Sequence, residues 1–460
     1  MIPENESWTN LLPDSIRERL HGRSQLQKIL SNIVWLSLDK VLRLGIGAVL
    51  GIWIARYLGP EQFGLLNYAA AFVVLFSPLS SLGLDTIVIR DILREDEQRV
   101  RVSLGTAFAL RLAAGVVAGA LAIAAISIVR PDDAMTRALA LLSAFALVVQ
   151  ALDVIDYWFQ SQIKSKYVVY ARNAAFLLTS AARIVLLIVH APLIAFAWTV
   201  LVEIVLGAIG LLIAYRVKRQ NLFRWRVDLS RARTLLRDSW PLAFASLAII
   251  LYMRIGQVMV GDYLGNAAAG TYSVALRIAE VWFFLPLAIS SSVFPAILKA
   301  KAEDEQVYQF RLQRFYDIMG AISLSASVII SLCAGPIVSL LFGRQYADAG
   351  PVLAVYIWAG IPVFLGVASN QFLLAEGLMK ISLYRTLMGG TASVLLNMVF
   401  IPRFGVIGAA IASVISYSVS VFSLILFKNM SGNVRMMLRS LNCVRLFRIG
   451  YKAVTRPAGT

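Results

Sequence analysis

Charge is what this chain is shortest of. Only 15% of its 460 residues are Asp, Glu, Lys or Arg, against roughly 25% in a soluble globular protein. That deficit excludes an ordinary soluble fold. Cysteine and histidine are nearly missing too, at two each. Two cysteines cannot build a disulfide framework, and Cys333 in an apolar run and Cys443 in a basic tail are not placed to pair. His21 and His190 stand alone with no metal-ligand spacing around them, so no metal or other resident cofactor is expected. There is no Walker A sequence and no Ser-His-Asp arrangement, and the chain is read as neither a nucleotide hydrolase nor any other enzyme. The one carboxylate pair between apolar runs on the expected outer side, Asp132-Asp133, sits beside Arg130 and Arg137 and reads as solvated turn chemistry.

What is present is hydrophobicity, 59% of residues with a mean hydropathy of +0.74. It predicts an all-α polytopic membrane protein. The spans fall near 33–57, 65–89, 104–129, 138–159, 173–190, 193–215, 240–262, 270–297, 315–335, 351–375, 381–401 and 405–427, each about 20 residues, enough to cross the hydrocarbon core. Residues 1–31 are polar, and the first apolar run is too long and lacks a small-residue cleavage site. The first span is therefore expected to be a retained signal-anchor.

A net charge of +17 would suggest nucleic acid in a soluble protein, but no nucleic-acid motif accompanies it. The excess lies between the spans, which points to anionic lipid and topology. The odd-numbered side holds only Arg56, Arg130, Arg137, Arg344 and Arg403. Most other basic residues fall on the even side, so both termini are expected in the cytoplasm.

The expected organisation is an N-terminal segment 1–32, a first lobe 33–215, a basic linker 216–239, a second lobe 240–427 and a basic tail 428–460. The tail's apolar residues follow no clean helical face, and a membrane-surface segment is expected there. The two lobes resemble each other. ARYLGPEQFG at 55–64 matches GDYLGNAAAG at 261–270, with Tyr57-Leu58-Gly59 on Tyr263-Leu264-Gly265 and Gly64 on Gly270 at a constant offset of 206. Each copy joins the first and second span of its lobe, the pattern of transporters built from parallel repeats.

The first span carries Asp39, Lys40 and Arg43 on one helical face. Each would cost about 2.5–3.5 kcal/mol at the centre of a lone helix, so the span needs a protected polar interior. The other deep cations are Arg111, Arg183, Arg254 and Arg277; the deep acids are Asp39, Glu203 and Glu280. Asp39–Arg43 and Arg277–Glu280 have spacings for local pairing. Lys40 and Arg111 lie near enough to a span end to snorkel, whereas Arg43, Arg183 and Arg254 lie deeper. Six cations against three acids predict a cavity for an anion, because the arginine fork matches phosphate oxygens. Pairing across helices is the competing reading, and for Glu203 the partner would be Arg183 on the adjacent span. Asp85, Asp153, Asp156 and Asp262 fall near span ends, where hydration is cheap. Gly47-x-x-x-Gly51 reads as a packing face. Pro78, Pro286, Pro295 and Pro362 sit inside spans and predict kinks.

Several stretches together resemble the bacterial polysaccharide-biosynthesis flippases of the multidrug/oligosaccharidyl-lipid/polysaccharide exporter superfamily. They are LDKVLRLGIGAVLGIWIARYLGPEQFGL at 38–65, Leu82-Gly83-Leu84-Asp85, Tyr157-Trp158-Phe159-Gln160, GTYSVALRIAEVWFFLP at 270–286, Phe342-Gly343 and IPRFGVIGAAIAS at 401–413. The resemblance implies twelve transmembrane helices in two pseudo-symmetric six-helix lobes around a central cavity open alternately to either face. It implies a polyprenyl-pyrophosphate-linked oligosaccharide as substrate, the bacterial inner membrane as location, and glycan polymerase or assembly proteins as candidate partners. On that reading Lys40, Arg43, Arg111, Arg183, Arg254 and Arg277 are substrate-binding candidates, while Glu203, Asp39 and Glu280 are candidates for coupling to H+ or Na+. Family members often carry Arg-Ile-Asp-Gln in the seventh span, where this chain has Arg254-Ile255-Gly256-Gln257. The missing acid leaves the coupling route open. A drug or cation antiporter of the same superfamily is the alternative, with an acid-rich cavity expected. A membrane-embedded glycosyltransferase is disfavoured by the missing acidic outer-loop motif.

Overall fold

The computed structural model describes residues 24–428 and 430–442, with side chains from Arg43 onward. Asp39, Lys40, Cys443 and the end of the tail lie outside the described side chains. The described chain is helical, without strands. Its helices are α1 (Ser24–Val74), α2 (Ser77–Ser81), α3 (Leu84–Ile92), α4 (Glu97–Val129), α5 (Ala134–Val149), α6 (Val154–Ser161), α7 (Lys166–Ile188), α8 (Leu193–Val217), α9 (Leu229–Leu264), α10 (Asn266–Trp282), α11 (Phe284–Glu303), α12 (Glu305–Phe342), α13 (Ala349–Tyr356), α14 (Gly360–Ala375), α15 (Met379–Phe422) and α16 (Ser431–Ser440). Among the described residues, nine helical stretches are long and apolar enough to cross a membrane. A tenth is the pair 43–74 and 77–92, bent by 42°. Polar groups such as Ser103, Ser369 and Asn397 are buried while Ile128, Leu332 and Leu340 stand bare. That inside-out arrangement needs hydrocarbon around it, and the chain is a multi-pass membrane protein.

The count of ten rather than twelve has a physical origin. At 1.5 Å per residue, the 51 residues of α1 would reach about 76 Å if straight, more than twice the ~30 Å hydrocarbon core. The helix breaks at Gly59 (φ 72°, ψ 172°) just before Pro60. Only glycine adopts that conformation cheaply, and proline suits the first turn of the helix that follows. The 44 residues of α15 break in the same manner at Gly405 (φ 60°, ψ −142°) after Pro402.

The repeat read from the sequence extends to backbone geometry. Gly265, matched to Gly59, has φ 87° and ψ 179°, nearly the same conformation. Gly64 and Gly270 meet each other. A Cβ on Gly64 would lie 2.6 Å from the Gly270 nitrogen, and one on Gly270 would lie 3.2 Å from the Gly64 nitrogen and 2.1 Å from the Pro60 carbonyl oxygen. The second part of α1 and the start of α10 therefore cross with backbones in contact, which only side-chain-free positions allow.

The chain divides into two compact units. Of the described residues, the first holds those of 24–51, 79–124 and 141–243, and the second those of 52–78, 125–140 and 244–442. The first unit is centred on Leu84, Val88, Leu104, Phe159, Leu211 and Leu235, the second on Leu312, Phe315, Tyr316, Leu365 and Met437. Segments 52–78 and 125–140, expected in the first lobe, thus belong to the second unit.

Two clasps explain that grouping, both inside the second unit. Arg56 donates to the carbonyls of Leu341 (2.7 Å) and Leu340. In return Gln345 and Tyr346 donate to the carbonyls of Arg56 and Ala55, each at 2.9 Å. In the other clasp Arg130 donates to the Gly261 carbonyl (2.6 Å) and Asn266 Oδ1 (2.7 Å), and lies 3.6 Å from Asp262. Tyr68 donates to Asp262 at 2.5 Å. Gly261 and Asp262 are the repeat counterparts of Ala55 and Arg56, so each clasp closes on the same place in its copy.

Candidate functional site

The first charged centre lies in the first unit, on the α7–α8 hairpin. His190 takes a left-handed conformation (φ 53°). Ala191 N donates to Leu186 O at 3.0 Å and His190 N to Leu187 O at 3.4 Å, a Schellman ending that turns the chain sharply. Residues equidistant from such a turn face each other. Arg183 and Thr199 stand eight residues either side of Ala191, and Thr179 and Glu203 stand twelve.

Arg183 accordingly donates to Thr199 Oγ1 and to Glu203 Oε2, both at 2.9 Å. Thr179 donates to the same carboxylate at 3.3 Å. Arg43 approaches Glu203 Oε1 at 3.5 Å and lies 5.0 Å over the Phe176 ring. Two guanidiniums therefore share one carboxylate, and all three side chains are part-buried. The bridge from Glu203 to Arg183 was legible in the sequence; the reach of Arg43 across to α8 was not.

The second centre lies in the second unit. Arg254 of α9 sets both Nη atoms on the Glu280 carboxylate of α10, at 3.2 and 3.4 Å. This forked pairing replaces the local Arg277–Glu280 pair expected from spacing, and Arg277 instead lies 5.5 Å over the Phe63 ring. Tyr272 is packed edge-on against Tyr356 and bonded to Ser413 at 3.0 Å.

Arg111 belongs to neither centre. Only 4% exposed, it donates to the Tyr157 hydroxyl and lies 3.9 Å from Asp153. Tyr157 donates to Asp85 at 2.8 Å, and Arg172 reaches Asp153 and Asp156 at 3.1 and 3.0 Å. Asp85, Asp153 and Asp156 were expected to be hydrated at span ends. Asp156 is buried, and the three acids form one network with Arg111, Tyr157 and Arg172.

Sequence reasoning missed Arg385. A span boundary drawn at 381 left it too near an end to count as deep, yet α15 begins at Met379 and Arg385 is 4% exposed. It donates to Asn370 Oδ1 (2.6 Å), Ser369 Oγ (3.2 Å) and the Gly366 carbonyl (3.3 Å). Among the described residues no carboxylate lies within ion-pair distance, and its Nε has no acceptor. The only local signal was Leu383 and Tyr384 ahead of it and Leu387 and Met388 behind it, which carry the apolar pattern past Arg385 on both sides.

The helices, their breaks and their buried charges make up a polytopic helical membrane fold. One solved structure with that fold is an inward-facing multidrug resistance MATE family transporter of the MOP superfamily, at a TM-score of 0.66 and 17% identity over 92% of this chain and 99% of that one. The chain itself belongs to the polysaccharide biosynthesis protein family, which matches residues 29–301. Among curated relatives, the probable flippase AglR of Haloferax volcanii is 32% identical over 36% of this chain and 35% of that protein. The lipopolysaccharide biosynthesis protein WzxC of Escherichia coli K12 is 23% identical over 77% of this chain and 72% of that protein. The match spans only about a third of AglR.

Proposed function

We propose that the chain is a flippase that carries a polyprenyl-pyrophosphate-linked oligosaccharide across the cytoplasmic membrane by alternating access. The observation that carries this reading is the first centre, where Arg43 and Arg183 converge on the carboxylate of Glu203. A pyrophosphate entering there competes with Glu203 for both forks. Charge-assisted bonds to its oxygens replace those to the carboxylate, at modest net cost because the arginines are already dehydrated and oriented. The freed Glu203 is then our first choice for taking up a proton or sodium ion, with Asp39 and Glu280 behind it. Family membership and the names of AglR and WzxC support the substrate class.

Counting α1 and α15 as two spans each, divided at Gly59 and Gly405, supports the reading of twelve spans in two lobes. The matched glycines and the paired clasps support a pseudo-two-fold relation between lobes 33–215 and 240–427. In this reading the clasps lie on the outer side, both termini are cytoplasmic, and opening outward requires the clasps to part. Glycan polymerase or assembly proteins remain candidate partners, and no catalytic step is assigned to the chain. A drug antiporter of the same fold is the other reading, and two arginines converging on the Glu203 carboxylate disfavour it for cationic cargo.

The test is transport of a defined polyprenyl-pyrophosphate oligosaccharide in reconstituted vesicles, with and without an imposed proton or sodium gradient. Wild type should move the lipid-linked sugar, and Arg43→Ala/Arg183→Ala should fail while Arg43→Lys/Arg183→Lys recovers part of the rate. Undiminished transport by the Ala variant overturns the assignment. A Glu203→Gln protein that still responds fully to the gradient removes Glu203 as the coupling group.

A further inference from the structure

The connection from α8 to α9 is the most basic stretch of the chain, and most of it is fastened down. Gly105 of α4 lets the linker backbone lie directly on the helix, since a Cβ there would fall 2.5 Å from the Arg226 carbonyl oxygen. Arg226 N donates to Arg101 O at 3.4 Å and Asp228 N to Thr106 Oγ1 at 3.1 Å. Trp225 packs on Phe108 and Tyr215 at 5.7 and 5.9 Å between ring centres and donates to the Tyr215 hydroxyl at 3.1 Å. Arg231 is neutralised, at 2.9 Å from Asp91 and 2.6 Å from Glu95.

That anchoring brings Arg224 and Arg226 beside Arg99 and Arg101, where with Gln98, Val102 and Phe223 they line a half-open cavity of about 630 Å³. Four arginines line it with little to balance them. Arg101 reaches Glu97 at 3.1 Å, but Glu97 is exposed and the pair is worth little. Among the described residues, no carboxylate lies within ion-pair distance of Arg99, Arg224 or Arg226. Like charges held together cost free energy unless an anion joins them.

The surroundings identify the source of that anion. Phe223 and Leu229 are each 86% exposed, and Val227 is exposed beside them. Bare apolar side chains next to arginines suit the boundary between lipid tails and headgroups. The cavity also stands at the ends of two apolar helices, at the start of α4 and just past the end of α8 at Val217, which is level with a membrane surface. We propose that Arg99, Arg101, Arg224 and Arg226 form a binding site for the phosphate of an anionic membrane lipid, with Phe223, Val227 and Leu229 entering the tail region beside it. The site goes beyond the transport reading and does not depend on which substrate is carried.

The full-length protein, purified in mild detergent, is titrated by native mass spectrometry with phosphatidylglycerol, with phosphatidylcholine and with inorganic pyrophosphate. Wild type should prefer phosphatidylglycerol over phosphatidylcholine by about tenfold or more, since each arginine near an anionic headgroup contributes roughly a fivefold gain. Arg224→Gln/Arg226→Gln and Arg99→Gln/Arg101→Gln should each remove most of that preference with melting unchanged, and Arg224→Lys/Arg226→Lys should keep most of it. Arg237→Gln, at an exposed arginine outside the cavity, should bind as wild type does. An unchanged preference in both Gln pairs overturns the site. So does an equal loss in Arg237→Gln, or pyrophosphate bound through these arginines while phosphatidylglycerol is not preferred.

Discussion

The two arginine–glutamate centres use the same chemistry in different proportions. In the first unit Glu203 is divided between Arg183 at 2.9 Å and Arg43 at 3.5 Å, and Thr179 adds a third bond. In the second, Arg254 and Glu280 close on each other one to one, at 3.2 and 3.4 Å. A closed pair satisfies itself and has little left for a ligand. A shared carboxylate holds two forks at once, one of them at 3.5 Å, and a stronger acceptor can draw both away. The proposed binding role therefore falls on the first centre, and the second is read mainly as a fastening between α9 and α10.

The largest expected difference is in transport. Losing both guanidiniums at the first centre removes charge-assisted bonds worth about 1.5–3 kcal/mol each, so Arg43→Ala/Arg183→Ala should slow transport at least a hundredfold. Arg254→Met/Glu280→Gln, which removes the second pair as a unit, should slow it less than tenfold. Equal losses in vesicle assays would erase the distinction between the centres.

Stability should show the reverse order. Arg254→Ala leaves Glu280 without its forked partner, a loss of about 3 kcal/mol for a fully buried pair and less here because both side chains are about a quarter exposed. Arg183→Ala leaves Glu203 with Arg43 and should cost less. Melting in detergent checks this, and a larger drop for Arg183→Ala would refute it. The smallest effect is expected from Thr179→Val, which removes a long 3.3 Å hydroxyl contact with Glu203 whose proton also has the Ala175 carbonyl at 2.9 Å, worth about 1 kcal/mol. It should lower melting slightly and, by loosening Glu203, raise rather than reduce affinity for a pyrophosphate lipid. A weaker affinity would mean that the hydroxyl binds the ligand itself.

Local signals in the sequence survived best. The offset of 206 became two glycines of nearly one conformation, and the Glu203–Arg183 bridge followed from a tight turn between neighbouring helices. Long-range choices were not legible. Arg277 sits three residues from Glu280, but a pair within one helix meets at an angle, whereas Arg254 on α9 reaches the carboxylate with both nitrogens. Asp156 looked hydrated from its place near a span end, because nothing in the local sequence says that Arg172 will fold over it at 3.0 Å. Arg385 was lost to a boundary a few residues out of place. The clasps needed segments 52–78 and 125–140 to join the second unit, and no periodicity encodes that.

Gly64 and Gly270 lie 206 positions apart in the chain, yet in space they occupy one gap. A methyl group on Gly64 would strike the Asn266 carbonyl and one on Gly270 the Pro60 carbonyl, each pushing the same two helices apart. Once the two helices have spread to admit the first, much of the room for the second already exists. Two positions far apart in the sequence are thus a single steric locus, and damage at one partly shelters the other.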